Sequence, residues 1–322
     1  MKITAIAALT ASLCTISASQ SAAYSYAELS DEGQIAPGID GDDRSGALYE
    51  AGSIGKFACT LAVLRMVDRG ALAIDARLGD ILPETGDTPI ADVTLRQVLQ
   101  SRSGIADGLL PAFGDDPQAV MQTPDAMTAT MQYASGELAN APGDQWSYDL
   151  VNWIVVQAVL EKVTGDDIAD ILETLVLRPA GMGQSHIFIG AIGPEAEPPA
   201  SPGRPIPAFL TCAGGLATTP TDLIALARFA HNGGLSANSL AALTDIATPD
   251  EAYALGGRFI ARSETDARLI SWQTGSNGAY KSLVAYDPIR DVGFAAMTAS
   301  GDATAIQRHR SDWMAEQAPY SR

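Results

Sequence analysis

The chain is short of basic side chains, and this shortage excludes two classes of partner. Its 322 residues include 38 Asp and Glu against 20 Lys and Arg, which gives a formal net charge of −18 at pH 7. A protein that binds nucleic acid needs a basic face that releases counterions from phosphates. Binding to an anionic membrane surface needs positive charge as well. The sequence therefore predicts that neither nucleic acid nor an anionic membrane is a partner.

Histidine is equally scarce, which argues against a metal centre. The three histidines, His186, His231 and His309, are scattered along the chain. No group of cysteines or carboxylates accompanies any of them at the spacing that metal ligands require. We expect no metal site, and nothing in the sequence calls for an organic cofactor.

Long apolar runs are missing after the first residues. Residues 1–23 look like a secretory signal peptide, with a charged start at Lys2, an apolar stretch over Ile3–Ile16 and the small residues Ser21-Ala22-Ala23 as a cleavage site. This apolar stretch is too short to span a bilayer. We therefore expect a periplasmic or secreted protein that is not inserted in a membrane after the signal is removed.

Removal of the signal leaves two cysteines, Cys59 and Cys212. An oxidising compartment permits a disulfide between them, but two cysteines so far apart in sequence do not imply one. Because Cys59 lies within an apolar helical pattern, we expect a buried free thiol at this position.

Strand patterns lie at the two ends of the chain, with helical patterns between them. The predicted strands cover Tyr24–Leu29, Ala47–Tyr49, Arg258–Ile260, Leu269–Trp272, Ser282–Tyr286 and Val292–Thr298, with a loop over Gly38–Gly46. The predicted helices cover Ser53–Gly70, Leu95–Gln100, Pro124–Gly136, Asn152–Thr164, Ile168–Leu177, Pro220–Asn232 and Ala303–Gln317. This order predicts an α/β (α+β) fold, in which an antiparallel sheet from both chain ends is flanked by helices and an all-helical region is inserted.

Ser53 and Lys56 form the most informative pair in the chain. Three residues apart on a helix, they share one face with Cβ atoms about 5–6 Å apart. Ser53 would lie in the first turn, where free N–H groups favour an anion. Burial would disfavour the ammonium form of Lys56 and leave an amine that acts as a base. Taken alone, the pair is better explained as a helix N-cap and a surface lysine, but the apolar residues from Ile54 to Val67 predict a buried helix.

Two further segments have side chains or backbone suited to a site. Trp146-Ser147-Tyr148 precedes a helix, and the phenol of Tyr148 can share protons with Lys56 if the two lie close together. A packed tyrosine is the alternative. Gln273-Thr274-Gly275 ends a predicted strand, where a glycine allows a ligand to approach the backbone. An ordinary turn is the alternative there.

In this order, the three segments resemble the serine β-lactamase and penicillin-binding-protein family. The nearest branch holds class C β-lactamases, D-alanyl-D-alanine carboxypeptidases and related esterases. The resemblance covers roughly residues 45–300, through the segments AGSIGKFACTLAVLRMVDRGALAIDARLGDILPE, VTLRQVLQSRSGI, WSYDLVNWIVVQAVLEKVTG, LRPAGM, GGLATTPTDL and SLVAYDP. It implies a single β-lactamase-like catalytic domain over residues 24–322. The α/β part would occupy about 24–75 and 236–322, and the helical part about 76–235.

The resemblance also implies a role for each matching residue. Ser53 would be the acylated nucleophile, Lys56 its base and Tyr148 the group that relays protons to the leaving group. Thr274 and Gly275 match the end of the family's Lys-Thr-Gly or His-x-Gly strand motif and would bind substrate. The oxyanion hole would use the backbone N–H groups of Ser53 and Ser276.

Two substrate-binding positions depart from the family pattern. Leu150 replaces the asparagine of the Tyr-x-Asn element, and Gln273 replaces the lysine or histidine of the strand motif. A neutral glutamine cannot give a substrate carboxylate the charge-assisted contact that a cation gives. Arg204 or Arg258 is able to restore that contact from a neighbouring loop.

These residues lead to one main hypothesis and two alternatives. The main hypothesis is an exported serine hydrolase that acts through an acyl-enzyme on an ester or amide, with a small molecule or peptide as substrate. The alternatives are a D,D-peptidase or β-lactamase, and a catalytically weak homologue that binds cell-wall peptides. A Ser-His-Asp hydrolase is disfavoured because no Gly-x-Ser-x-Gly element is present.

Overall fold

The computed structural model describes residues 23–263 and 266–317, and over these residues the strands form two antiparallel sheets. The strands are β1 (Tyr24–Leu29), β2 (Ile35–Asp40), β3 (Tyr49–Glu50), β4 (His186–Ile187), β5 (Leu216–Thr218), β6 (Arg258–Ser263), β7 (Asp266–Asn277), β8 (Tyr280–Asp287) and β9 (Val292–Thr298). The larger sheet has the order β2-β1-β9-β8-β7-β6, and the smaller one the order β3-β5-β4. The first and last strands of the chain, β1 and β9, therefore pair in the middle of one sheet.

Helices fill the chain between β3 and β6 and follow β9. They are α1 (Ile54–Asp68), α2 (Leu78–Ile81), α3 (Leu95–Leu99), α4 (Leu109–Asp115), α5 (Pro117–Met121), α6 (Ala126–Tyr133), α7 (Val151–Thr164), α8 (Ile168–Leu172), α9 (Arg178–Ala180), α10 (Thr211–Gly214), α11 (Pro220–His231), α12 (Ala237–Thr244) and α13 (Thr304–Glu316). Short 3₁₀ turns lie at Pro83–Thr85, Ala208–Leu210 and Pro249–Glu251, and a π-helical turn at Glu173–Leu177.

Helices cover both faces of the central strands of the large sheet, and the side chains of each strand alternate between the two faces. In β8, Leu283 and Ala285 pack with Trp313 of α13 on one face. Val284 and Tyr286 point to the other face and join the main core, to which α11 and α1 belong. The sheet is thus the middle layer between α13 and the remaining helices.

Helix α1 crosses the centre of the main core. Every residue from Ile54 to Leu64 is buried, so the helix is enclosed on all sides and not amphipathic. It contacts α7, α10 and α12 as well as β7. Lys56, in the first turn of this helix, therefore lies inside the protein and is shielded from water.

The arrangement of strands and helices agrees with the predicted α+β class, and β1 and β9 have the predicted bounds. Strand β2 was not predicted, and its last residues fall in the expected Gly38–Gly46 loop. It is an edge strand whose side chains are mostly exposed and which contains Pro37 and Gly38, so it lacks an alternating apolar pattern.

The prediction of a free thiol at Cys59 is wrong. Cys59 and Cys212 form a disulfide between α1 and α10, with Cα atoms 5.7 Å apart. Both residues are fully buried where the two helices pack. The helical pattern around Cys59 predicted its burial correctly but carried no information on which distant helix lies against it.

The predicted signal peptide lies outside the described residues except for Ala23, and it stays a prediction. Among the residues that the structure describes, no helix is both long and apolar enough to cross a membrane.

Candidate active site

The structure brings Ser53 and Lys56 into hydrogen-bond distance. Ser53 directly precedes α1, and Lys56 lies in the first turn of that helix. Lys56 Nζ is 3.3 Å from Ser53 Oγ, and it donates a hydrogen bond of 3.1 Å to the carbonyl oxygen of Ala213 in α10. Lys56 is 1% exposed, whereas Ser53 is half-buried and accessible from a cavity. A buried amine thus adjoins an accessible hydroxyl.

Burial of Lys56 weakens its affinity for a proton. Loss of hydration lowers the pKa of Lys56 to about 7, and the nearby negative charge of Asp149 opposes this shift. The rings of Tyr148 and Trp153 lie 5.1 and 5.9 Å from Nζ. Near neutral pH a large fraction of Lys56 is therefore the free amine, which is able to accept the proton of Ser53.

Tyr148 joins this pair from the residues that precede α7. Its ring centre lies 5.1 Å from Lys56 Nζ, and its side chain lines a cavity together with Ser53. Burial raises the pKa of Tyr148, and the nearby Ser53 hydroxyl and the positive charge of Arg258 only partly offset that rise. The phenol is therefore protonated at neutral pH and is suited to donate a proton to a leaving group.

Arg258, the first residue of β6, packs among three aromatic rings next to this site. Its guanidinium carbon lies 5.4 Å from the ring centres of Tyr148 and Tyr253 and 5.9 Å from that of Trp146. A carboxylate oxygen of Glu251 lies 3.6 Å from its Nη2. The rings and the carboxylate hold this cation at the edge of the site.

Two glycines allow the backbone segments of the predicted oxyanion hole to touch. Gly52 has φ +54, and a Cβ added there would lie 2.4 Å from the backbone nitrogen of Ser276. A Cβ added at Gly275 would lie 1.8 Å from the carbonyl oxygen of Ala51. The segment that carries Ser53 thus lies directly against the segment that carries Ser276, an approach that only glycine permits at these two positions.

Two cavities meet at Ser53. A small polar cavity of about 320 Å³ is lined by Tyr148, Arg258, Thr274 and Lys281, among others. A larger cavity of about 1060 Å³ lies on the side of Lys56 and is lined largely by apolar residues, including Leu150. Ser53 and Ser276 line both cavities, and Arg204 lines the larger one.

Of the four predicted substrate-binding residues, three line a cavity at Ser53 and one does not. Thr274 and Gly275 line the polar cavity, and Leu150 lines the larger one. Gln273 lines neither: it is 5% exposed, and its side-chain amide pairs with the backbone N–H and carbonyl of Arg258, both at 3.1 Å. Because successive residues of a strand face opposite sides of the sheet, Thr274 reaches the cavity and Gln273 lies on the other face, towards α1.

Sequence reasoning missed Asp149, which adjoins the site. Its carboxylate accepts hydrogen bonds from the backbone N–H of Asn152 at 3.0 Å and from the Asn152 side chain at 2.8 Å. Burial raises the pKa of Asp149 to about 6, although these bonds lower it. The signal in the sequence was its position between Tyr148 and a helix start, where an aspartate commonly caps the helix.

Residues suited to hold a metal ion are not grouped in the part of the chain described here. No cluster of three or more His, Cys, Asp or Glu side chains occurs within residues 23–263 and 266–317.

Curated proteins are similar in sequence to about half of this chain. Esterase EstB of Burkholderia gladioli is 33% identical over 177 residues, which are 51% of this chain and 44% of that protein. For three curated relatives, EstB included, the match spans 36% to 52% of the relative's own length.

Solved structures with the same fold cover nearly the whole chain. A D-stereospecific amidohydrolase from Streptomyces sp. has a TM-score of 0.74 at 19% identity, covering 88% of this chain and 92% of that one. A penicillin-binding protein from Bacillus halodurans has a TM-score of 0.76 at 17% identity, covering 90% and 95%. The predicted fold class is confirmed. A family model described as beta-lactamase matches residues 12–318, and the chain belongs to the beta-lactamase family.

Proposed function

We propose that this protein is an exported serine hydrolase that cleaves esters or amides through an acyl-enzyme on Ser53. The observation that carries the proposal is the 3.3 Å distance between Ser53 Oγ and Lys56 Nζ, at a lysine whose pKa burial lowers to about 7. A hydroxyl next to a largely unprotonated amine is an activated nucleophile.

The reaction has two half-reactions with balanced proton transfers. Ser53 Oγ attacks the carbonyl carbon while its proton moves to Lys56 Nζ, and the backbone N–H groups of Ser53 and Ser276 stabilise the negative oxygen. The leaving group takes a proton from Tyr148, which regains one from Lys56. Water then attacks the acyl-enzyme, Lys56 Nζ accepts its proton and passes it to Ser53 Oγ as the ester bond breaks, and the acid is released.

Among substrates, esters are supported more strongly than charged peptides or β-lactams. Gln273 stands where the family has a cation in its strand motif. The side-chain amide of Gln273 is hydrogen-bonded to the backbone of Arg258. The relative EstB is named an esterase. We infer an uncharged or modestly polar ester, lactone or amide as substrate.

The test is hydrolysis of p-nitrophenyl butyrate by wild type and by Ser53→Ala. Wild type should turn over the ester, and Ser53→Ala should retain no more than about one thousandth of that rate. Ser135→Ala, at a serine that only caps the carbonyl of Met131 in α6, is the matched control and should keep full activity. Equal rates for wild type and Ser53→Ala would refute the mechanism. A folded wild type without turnover would favour the cell-wall peptide-binding homologue.

One observation favours a second candidate, a D,D-peptidase or β-lactamase. The polar cavity next to Tyr148 contains the guanidinium of Arg258 and the ammonium of Lys281, and both attract a carboxylate. A stable mass increase on incubation with benzylpenicillin, absent in Ser53→Ala, would support this candidate. Ester turnover without any penicillin adduct would count against it.

Export is supported by the disulfide as well as by the predicted signal peptide. Disulfides persist mainly in oxidising compartments, and this chain has a disulfide between Cys59 and Cys212. Expression of the full chain in a Gram-negative host should give a periplasmic protein whose N-terminus lies close to Tyr24. A cytoplasmic protein that keeps residues 1–23 would contradict the export proposal.

A further inference from the structure

The larger cavity at Ser53 has an apolar wall that the mechanism above does not use. Leu110 and Phe113 of α4 and Met121 of α5 form one side, and Leu150, Ile206 and Leu210 lie on the cavity lining as well. Leu110 is 53% exposed and Met121 is 38% exposed. Both belong to the few large apolar side chains that are exposed to solvent among the described residues. Such a patch usually marks a binding surface.

The position of the proton donor decides which part of a substrate enters this cavity. Tyr148 lines the small polar cavity, so the leaving group that it protonates must lie there. The oxygen of the scissile carbonyl is directed to the backbone N–H groups of Ser53 and Ser276. The acyl chain is the one remaining group on the attacked carbon. The cavity left for it at Ser53 is the larger one.

The lining of the larger cavity suits an apolar chain. Among its described lining residues, the charged side chains are Lys56, which adjoins Ser53, and Arg204, which is exposed to solvent. Leu150 stands where the family has an asparagine and gives the acyl side an apolar contact near Ser53. A volume of about 1060 Å³ is ample for an acyl group of many carbons.

We propose that this cavity binds the acyl group of the substrate, and that the protein prefers esters of large apolar acids over acetyl esters. The proposal rests on the proposed function, because it assigns the acyl group of the same acyl-enzyme. Leu110 and Met121 are then specificity-determining residues and take no part in bond making.

The experiment is a series of p-nitrophenyl esters with acetyl, butanoyl, hexanoyl and octanoyl groups, kept below their solubility limits. The leaving group is constant, so only the acyl side changes. Each methylene buried in the cavity should raise kcat/KM up to about fourfold. We expect at least a tenfold higher kcat/KM for octanoate than for acetate.

Leu110→Asp and Met121→Asp introduce a charge on the wall at exposed positions, where the fold tolerates it. Each should lower the ratio of octanoate to acetate kcat/KM by about tenfold or more, because the longer acyl chain would bury the new charge. Ile289→Asp is the matched control, since Ile289 is 63% exposed and lies between β8 and β9, away from the cavity. It should keep the wild-type ratio.

The possible failures are distinguishable. Turnover of acetate with no preference for longer chains, or an unchanged ratio in both wall variants, would overturn the acyl-cavity proposal and leave the serine hydrolase intact. No turnover of any ester, with no labelling of Ser53 by a fluorophosphonate, would overturn the proposed function and this inference with it.

Discussion

A single lysine carries most of the chemistry at the residue scale. Lys56 is buried at 1% exposure, yet its Nζ contacts only Ser53 Oγ and the Ala213 carbonyl oxygen as hydrogen-bond partners within the described residues. A carboxylate partner would have kept it charged. The partners present are neutral, so burial lowers its pKa to about 7, which suits it to the proposed role of base.

The rate should therefore follow the titration of Lys56. Because the neutral amine is the reactive form, kcat/KM for an uncharged ester should rise about tenfold per pH unit below pH 7 and level off above it. Asp149→Asn removes the negative charge that favours the ammonium, so the midpoint should move to lower pH. A rate independent of pH between 5 and 9 would show that Lys56 is not the base.

The same titration should make stability depend on pH. The pKa of Lys56 is about 7 in the folded state and 10.5 in the unfolded state, so the unfolded state binds more protons between these values. The free energy of unfolding due to this group is lowest below pH 7 and rises toward pH 10.5.

Lys56→Met should consequently be more stable than wild type at pH 6–7, and the difference should shrink as the pH approaches 10. Urea unfolding at several pH values measures it. A variant that is less stable than wild type at every pH would mean that Lys56 stabilises the fold.

Tyr148 should matter in proportion to the basicity of the leaving group. Tyr148→Phe removes the phenolic proton, so an alkyl ester, whose alkoxide needs protonation, should lose about 10²–10⁴ in kcat. A p-nitrophenyl ester has a stable leaving anion and should lose far less. Comparing ethyl and p-nitrophenyl butyrate in the variant gives the contrast, and equal losses on both esters would assign Tyr148 a packing role only.

At the scale of elements, the disulfide connects the helix that carries Lys56 to the helix whose carbonyl oxygen accepts a hydrogen bond from Lys56. Cys59 lies one turn after Lys56 in α1, and Cys212 precedes Ala213, whose carbonyl oxygen accepts the hydrogen bond from Lys56. The disulfide therefore holds both partners of that hydrogen bond.

The double variant Cys59→Ala/Cys212→Ala, which lacks the disulfide, should lose both stability and activity. The closed loop is 153 residues long, so we expect a loss of about 2–5 kcal/mol in the free energy of unfolding. At a temperature where the variant is folded, kcat should fall and its pH midpoint should shift, because the contact of Lys56 with Ala213 loosens. Unchanged kinetics would limit the disulfide to a role in stability.

Local sequence patterns predicted some of the elements and missed features that depend on contacts between distant segments. Local patterns predicted α1, the strands β1 and β9 and the glycine at position 275, because these depend on neighbours along the chain. The disulfide partner and the inward direction of Gln273 depend on contacts between distant segments. Helices α4 and α5, which form the acyl-side wall, are short and were not predicted.

At the scale of the whole molecule, the sheet and the helical region together form the site. Strand β7 provides Thr274 and Ser276, α1 provides Lys56 with Ser53 directly before it, and the residues that precede α7 provide Tyr148. Motif order and family resemblance predicted that Ser53, Lys56 and Tyr148 lie together, and the catalytic roles of these residues stay predictions. The sequence did not predict the two unlike cavities on either side of Ser53, because their walls come from segments far apart in the chain.

The central claim is that Ser53 is an activated nucleophile, and mass spectrometry after incubation with a fluorophosphonate tests it most directly. We expect one adduct per folded chain, mapped to the peptide that contains Ser53, absent in Ser53→Ala and formed at least about a hundredfold more slowly in Lys56→Met. Folded wild-type protein that gains no adduct, or gains it at another residue, would contradict the account.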